Sequence, residues 1–230
     1  MVLRRLAYPD DVIGHLRSTK MRSLMPYRSE LARDYMMLLD YDPTVVEFRA
    51  LPIAFEFYHR GRLYEYLPDL IATLSPPEHS VALPLGSPAV TVICCRVFER
   101  WQTEEEAIGL GLTTVWCTEH GYNLLVLSPE MLDGTYMRNV KLLRTYALTH
   151  VASSQVERVI SFLSERGGNA SVHDIARVVN PLDEPYGWAV VLHLAFHHKV
   201  ELPVQGEDVT PDTIVSLPPQ AEVEKQEPVA

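Results

Sequence analysis

The sequence predicts an α/β fold over about the first 150 residues, followed by a smaller helical unit. The first part shows, in order, a helix pattern, several strand patterns, a helix, a strand and a helix, which is typical of an α/β sandwich. The second part shows three short helical segments with short connections. A chain of 230 residues with 47% hydrophobic residues is long enough for one large domain, or for a medium and a small one.

The first predicted helix begins near Glu30. Ser29 precedes it, and its hydroxyl group can accept a backbone N–H of the first turn. Apolar residues then recur at helical spacing, at Leu31, Tyr35, Leu38 and Leu39. Because the helix dipole stabilises a carboxylate in the first turn, Glu30 taken alone indicates a helix start more than a metal ligand.

Strand patterns follow over residues 45–48, 53–58, 63–66 and 70–74. The segment His59-Arg60-Gly61 separates two aromatic-rich runs and predicts a hairpin turn. Asp69 follows Pro68 and therefore lies at the edge of the last of these strands.

The next elements are predicted from composition and periodicity. Residues 75–89 contain four prolines and one glycine and predict a loop. A buried strand is expected over residues 90–98, a helix over 99–110, a second buried strand over 113–117 and a helix over 132–148. Residues 123–126 leave the type of element open.

The second unit is predicted to be winged-helix-like. Its helices are expected over residues 156–163, 172–179 and 186–196, with Ser171 as a cap and two wing strands over 199–202 and 213–217. The third helix is almost entirely apolar, so few charges are available there to contact DNA. His193, His197 and His198 are interpreted as core or surface histidines, because no further metal ligand stands at suitable spacing.

Charge is distributed unevenly around a net charge of −10. Residues 1–27 are predicted to be a basic arm, which either lies on DNA phosphates or is solvated and flexible. The candidate DNA contacts are Arg4, Arg5, Arg17, Lys20, Arg22 and Arg28. Residues 218–230 are predicted to be a disordered acidic tail.

A cytoplasmic location is expected, with no association with a membrane. No apolar run reaches the roughly 18 residues that a membrane span needs, and the N-terminus lacks the apolar core of a signal peptide. Cys94, Cys95 and Cys117 give no disulfide framework, so reduced thiols are expected.

A metal-dependent nuclease needs carboxylates to hold Mg²⁺ and a lysine to help activate the attacking water. The corresponding pattern is a helix Glu, then Pro-Asp, then Glu/Gln-x-Lys on the next strand. Glu30 and Pro68-Asp69 fill the first two places. Further segments support a resemblance to one family: Ser29-Glu30-Leu31, residues 39–45, Leu51-Pro52-Ile53, residues 66–70, residues 113–119 and residues 136–146. Taken together in this order, they resemble TnsA, the endonuclease subunit of heteromeric cut-and-paste transposases.

The resemblance implies a restriction-endonuclease-like core over residues 28–150 and a winged-helix-like partner-binding domain over residues 151–217. It also implies Mg²⁺-dependent nicking of the 5′ ends of the element, a TnsB-like transposase that cuts the 3′ ends, and a TnsC-like ATPase that contacts the C-terminal domain. By position, Glu30 and Asp69 correspond to the metal ligands, Cys94 to the Glu/Gln and Arg96 to the lysine. A thiol is a poor Mg²⁺ ligand, and arginine does not readily accept a proton.

Three hypotheses follow from these two departures. The chain is a TnsA-like subunit that binds transposon-end DNA and partner proteins but has lost cleavage. Alternatively, it still cuts, with an acid supplied by Glu99 or Glu65 and with Arg96 stabilising the transition state. The third is a binding module outside transposition. We also expect Asp69→Ala to leave partner binding intact, because a residue at a strand edge should not support the core.

Overall fold

The computed structural model describes residues 4–5, 12–51, 54–74, 90–95, 104–132 and 134–219. The chain is a mixed α/β protein, as predicted, and it divides into two compact units, residues 1–141 and 142–230. Among the residues that the structure describes, no helix is both long enough and apolar enough to cross a membrane.

A β-hairpin and a helix open the first unit. Strands β2 (Gly14–Arg17) and β3 (Leu24–Tyr27) pair antiparallel, and helix α1 (Glu30–Tyr41) follows. Ser29 caps α1, because its hydroxyl accepts the N–H of Ala32 at 3.0 Å. Within the basic arm predicted over residues 1–27, residues 14–17 and 24–27 are thus paired strands of a hairpin.

Four strands form the central sheet of this unit. They are β4 (Val45–Ala50), β7 (Leu70–Leu74), β8 (Val90–Cys95) and β9 (Asn123–Leu127), in the order β4-β7-β8-β9. The first three pair antiparallel, and β9 lies parallel to β8. A parallel neighbour requires a crossover connection, which helix α2 (Glu104–Glu119) provides between them. The strand expected over residues 90–98 is described only as far as Cys95.

A second sheet contains the predicted hairpin. Strands β5 (Phe55–His59) and β6 (Arg62–Tyr66) are joined by Arg60 and Gly61, which have φ angles of 49° and 74°. Two positive φ angles in a two-residue loop match the twist of a hairpin. Strand β1 (Arg4–Arg5) lies parallel to β6.

The strand predicted over residues 113–117 is wrong, because these residues belong to α2. The β-branched residues Thr113 and Thr114 favour a strand, but their hydroxyls donate to the carbonyls of Gly109 and Leu110, one helical turn earlier, both at 2.8 Å. Helix α3 (Thr135–Tyr146) is shorter than expected, since a 3-10 helix (Pro129–Leu132) forms where the prediction begins.

The second unit contains three helices and a small sheet. Its helices are α4 (Ser153–Glu165), α5 (Val172–Val179) and α6 (Glu184–Phe196), and its strands β10 (Asn169–Ser171) and β11 (Ile214–Ser216) pair antiparallel. Helices α5 and α6 touch through their backbones at Gly187, where a Cβ atom would lie 2.2 Å from the carbonyl oxygen of Ala176. The predicted wing strand over residues 199–202 is wrong, because only Glu201 forms a bridge, to Ser216. The tail prediction falls almost entirely outside the described residues.

Candidate functional site

Asp69 lies immediately before β7, one of the two inner strands of the central sheet. Its backbone continues the sheet, since its N–H donates to Ile93 at 3.1 Å and its carbonyl accepts from Leu51 at 2.8 Å. Its side chain is only 3% exposed, and Oδ2 accepts the N–H of Cys95 at 2.8 Å. Asp69 therefore joins β7 to the neighbouring strand β8 through its carboxylate.

The second partner of Asp69 is Arg28, which precedes the cap of α1. The Arg28 side chain is 7% exposed, and its Nη2 lies 3.7 Å from Asp69 Oδ1. The same nitrogen donates to the carbonyl oxygen of Leu67 at 3.0 Å. Arg28 was predicted to contact DNA, but the structure buries it against the segment that contains Asp69.

Burial controls the ionisation of this group of side chains. It raises the pKa of Asp69 to about 6, while the Cys95 N–H and the Arg28 guanidinium act in the opposite direction. Burial and the neighbouring Asp69 also raise the pKa of the Cys95 thiol. The expectation that Asp69 does not support the core is wrong, because its carboxylate is buried, ion-paired and hydrogen-bonded to the next strand.

Glu30 has a different environment at the start of α1. Its side chain is 78% exposed, and its nearest charged partner is Arg33, with 3.5 Å between Glu30 Oε1 and Arg33 Nη1. An open cleft contains Glu30 together with Ser29, Leu31, Asp34, Pro129, Glu130 and Leu132. Asp34 in this cleft forms ion pairs with Arg33 and with Lys141. The Nζ of Lys141 lies 2.5 Å from Asp34 Oδ2.

The two adjacent cysteines of β8 point to opposite faces of the sheet, because side chains alternate along a strand. Cys94 is fully buried and packs with Tyr64, Val92 and Cys117. Cys95 is the thiol that is electrostatically coupled to Asp69. Cys94 was predicted to occupy the place of a metal-binding Glu/Gln, but its position is that of a core residue.

Three other predicted site residues cannot be placed in this geometry. Glu65 belongs to β6, but its side chain is not described. Arg96 and Glu99 lie outside the described residues.

Lys20 and Asp40 tie the β2-β3 connection to the end of α1. The buried Asp40 accepts from Ser18 Oγ at 2.7 Å, Thr19 N at 3.0 Å and Lys20 N at 2.9 Å. Lys20 Nζ donates to the carbonyl oxygens of Leu39, at 2.8 Å, and Asp42. Burial lowers the pKa of Lys20 to about 8, against the opposing effect of the nearby carboxylates. Sequence inspection placed Lys20 among the DNA contacts and missed Asp40.

The remaining predicted DNA contacts differ in position. Arg17 is exposed in β2, and Arg22 is exposed in the connection between β2 and β3. Arg4 and Arg5 form β1.

The described groups around the Asp69 carboxylate do not form a Mg²⁺ site, because Mg²⁺ prefers several hard oxygen ligands. One carboxylate oxygen of Asp69 accepts from a backbone N–H, and the other faces a guanidinium. Across the described part of the chain, no group of three or more His, Cys, Asp or Glu side chains is arranged to hold a metal ion. In the second unit, the imidazoles of His193 and His197 lie 3.2 and 2.9 Å from the carbonyl oxygens of Tyr146 and Ala147.

No protein-family model matches this chain, and no curated protein matches it.

Proposed function

We propose that this chain is a TnsA-like subunit of a heteromeric DNA transposition machine, in which 5′-strand cleavage is weakened or lost. In this proposal, it binds transposon-end DNA, a TnsB-like transposase and a TnsC-like ATPase. The observation on which the proposal depends is the state of Asp69. This carboxylate stands where the nuclease pattern requires a metal ligand, but it is buried between Arg28 and the N–H of Cys95.

The order of elements in the first unit supports a restriction-endonuclease-like core. Glu30 begins the helix that precedes the sheet, Asp69 begins an inner strand, and the strand that contains Cys94 lies directly beside it. This is the layout that the helix Glu, Pro-Asp and next-strand pattern requires. The chemistry of the positions differs from the pattern, while their order along the fold agrees with it.

The second unit supports a role in protein binding. Residues 142–219 contain nine Asp or Glu and five Lys or Arg, which does not favour contact with phosphates. Helix α6, the third helix of the proposed winged-helix-like domain, contains no Lys or Arg, and seven of its residues are buried. We therefore assign the DNA contacts of this subunit to the first unit and the partner contacts to the second.

Leu182 is the residue of the second unit that best suits such a contact. It is 98% exposed, although the connection that presents it is ordered: Asn180 Oδ1 accepts the N–H groups of Leu182 and Asp183 at 3.1 and 3.2 Å. Because the backbone that carries Leu182 is already ordered, the entry of this side chain into a pocket of a partner costs less entropy than it would from a flexible loop.

The test of cleavage uses the full chain with a TnsB-like transposase and a TnsC-like ATPase, on labelled element-end DNA with Mg²⁺ or Mn²⁺. We expect a complex to form on the DNA and 5′ nicks to be rarer than 3′ cuts. If 5′ nicks equal 3′ cuts and disappear in Asp69→Asn, the chain is an active nuclease. If no complex forms with the partners or the DNA, the role in transposition is wrong.

Partner binding by the second unit is tested with Leu182→Ser in the same complex. We expect its affinity for the ATPase or the transposase to fall about tenfold or more, as is common for a buried apolar anchor. Leu148→Ser is the matched control, because Leu148 is also exposed, at 56%. Equal affinities for Leu182→Ser and the unmodified chain, measured by fluorescence anisotropy, would remove Leu182 from the interface.

A further inference from the structure

We infer that Arg28 is the internal counter-ion of the Asp69 site, and that its guanidinium occupies the position in which these oxygens would otherwise hold a divalent cation. The inference concerns the residue on which the proposed function depends, but it makes no use of transposition.

Two oxygen atoms of the kind that bind hard metal ions face one nitrogen of Arg28. Nη2 lies 3.0 Å from the carbonyl oxygen of Leu67 and 3.7 Å from Asp69 Oδ1. A carboxylate and a backbone carbonyl are ligands that divalent cations take from proteins, with water completing the shell. Part of a ligand set for a divalent cation is thus present, and the Arg28 guanidinium already faces both of its oxygen atoms.

Burial makes this positive charge necessary. The side chains of Arg28 and Asp69 are 7% and 3% exposed, so water does little to screen either charge. A buried carboxylate without a positive partner is strongly unfavourable. Because the guanidinium of Arg28 is covalently attached to the chain, this positive charge does not exchange with solvent as a bound ion does.

The start of α1 fixes the position of Arg28. Ser29, the next residue, caps the helix through the N–H of Ala32. The N-terminus of a helix has a partial positive charge, so an arginine there is repelled unless an anion compensates both charges. Asp69 is the anion that the structure places beside it. A divalent ion entering the same space would meet the repulsion of both Arg28 and the helix terminus.

The experiment measures thermal unfolding of the full chain, without DNA or partners, during titration with Mn²⁺, and counts bound Mn²⁺ by electron paramagnetic resonance. Five proteins are compared: the unmodified chain, Arg28→Lys, Arg28→Met, Arg28→Met combined with Asp69→Asn, and Asp69→Asn alone. We expect no response to Mn²⁺ in the first two. In Arg28→Met, we expect a lower Tm that Mn²⁺ raises by about 2–5 °C, with one ion bound. The double variant should not respond.

Three results would overturn the inference. One is a Mn²⁺-dependent rise of the Tm in the unmodified chain that Asp69→Asn abolishes, because metal would then bind with Arg28 in place. Another is a folded Arg28→Met protein that responds to Mn²⁺ no more than the double variant. If Arg28→Met does not fold, the double variant, in which both members of this buried pair are neutral, should fold. Its failure to fold would be the third.

This outcome is separable from that of the proposed function. The Mn²⁺ titration contains neither DNA nor partners, so loss of the transposition complex does not change its result. Assembly on DNA is scored as complex formation, which is read independently of the Mn²⁺ titration.

Discussion

Asp69 and Glu30 are two carboxylates of the same unit that the sequence assigns to one metal site, yet their surroundings are opposite. Asp69 is 3% exposed and bound to Arg28 and Cys95, whereas the Glu30 side chain is 78% exposed beside Arg33. Water and salt screen Glu30, so its charge contributes little to folding. Asp69 has no such screening. The order of acidic residues along a chain therefore does not determine what each acid does.

The largest expected effect comes from Asp69→Ala. It leaves the buried Arg28 without its anion and removes the hydrogen bond from Cys95, so the free energy of unfolding should fall by about 3–5 kcal/mol. Urea denaturation measures this change. Glu30→Ala is the matched control and should lower the free energy of unfolding by no more than about 0.5 kcal/mol. Similar losses in both variants would show that the contrast between the two carboxylates is not energetic.

A slightly smaller effect is expected from pH. The pKa of Asp69 is about 6 in the folded protein and about 3.9 in the unfolded chain, so between these values the folded state binds more protons. The free energy of unfolding should therefore fall as the pH rises from about 3 to about 7, and then level off. The total is about 3 kcal/mol.

The pH effect is measured as the difference between the unmodified chain and Asp69→Asn in denaturation at pH 4 to 8. Asp69→Asn should lack this fall, since an amide does not titrate. Glu30→Gln serves as the control and should keep it. Identical pH profiles for the unmodified chain and Asp69→Asn would assign the ionisation to another group.

Lys20→Met extends the comparison to the basic residues of the same unit. Lys20 donates to two carbonyl oxygens at the end of α1, so its loss should lower the free energy of unfolding by about 1–2 kcal/mol. Arg22→Ala, at an exposed position nearby, should change it by about 0.5 kcal/mol or less. If the two variants unfold at the same urea concentration, the hydrogen bonds of Lys20 do not stabilise the fold.

Local signals predicted several elements correctly. The Ser29 cap with its apolar repeat identifies α1, and the His59-Arg60-Gly61 segment identifies the β5-β6 hairpin. The position of Asp69 just before a strand also follows from its neighbours. Each of these features depends on residues that are close in the sequence, which is why inspection of the sequence is sufficient for them.

The errors occurred where distant residues decide the structure. Thr113 belongs to a run with strand propensity, but the segment becomes part of the helix that connects two parallel strands. Arg28 and Lys20 resemble surface cations in the sequence, and only their distances to Asp69 and the end of α1 show that they are structural. The partnership of Asp69 with Arg28 spans more than 40 residues of chain, so no local pattern indicates it.

The attachment of α1 at both ends has a consequence for its dynamics. Isolated helices fray, because their terminal peptide groups lack partners. In α1, Ser29 secures the first turn while Arg28 links the preceding residue to Asp69, and Lys20 binds carbonyls of the last turn. Neither end can open unless the sheet or the hairpin loosens as well. The amide hydrogens of α1 should therefore exchange with solvent as part of one cooperative unit with β7 and β8, not turn by turn from its ends.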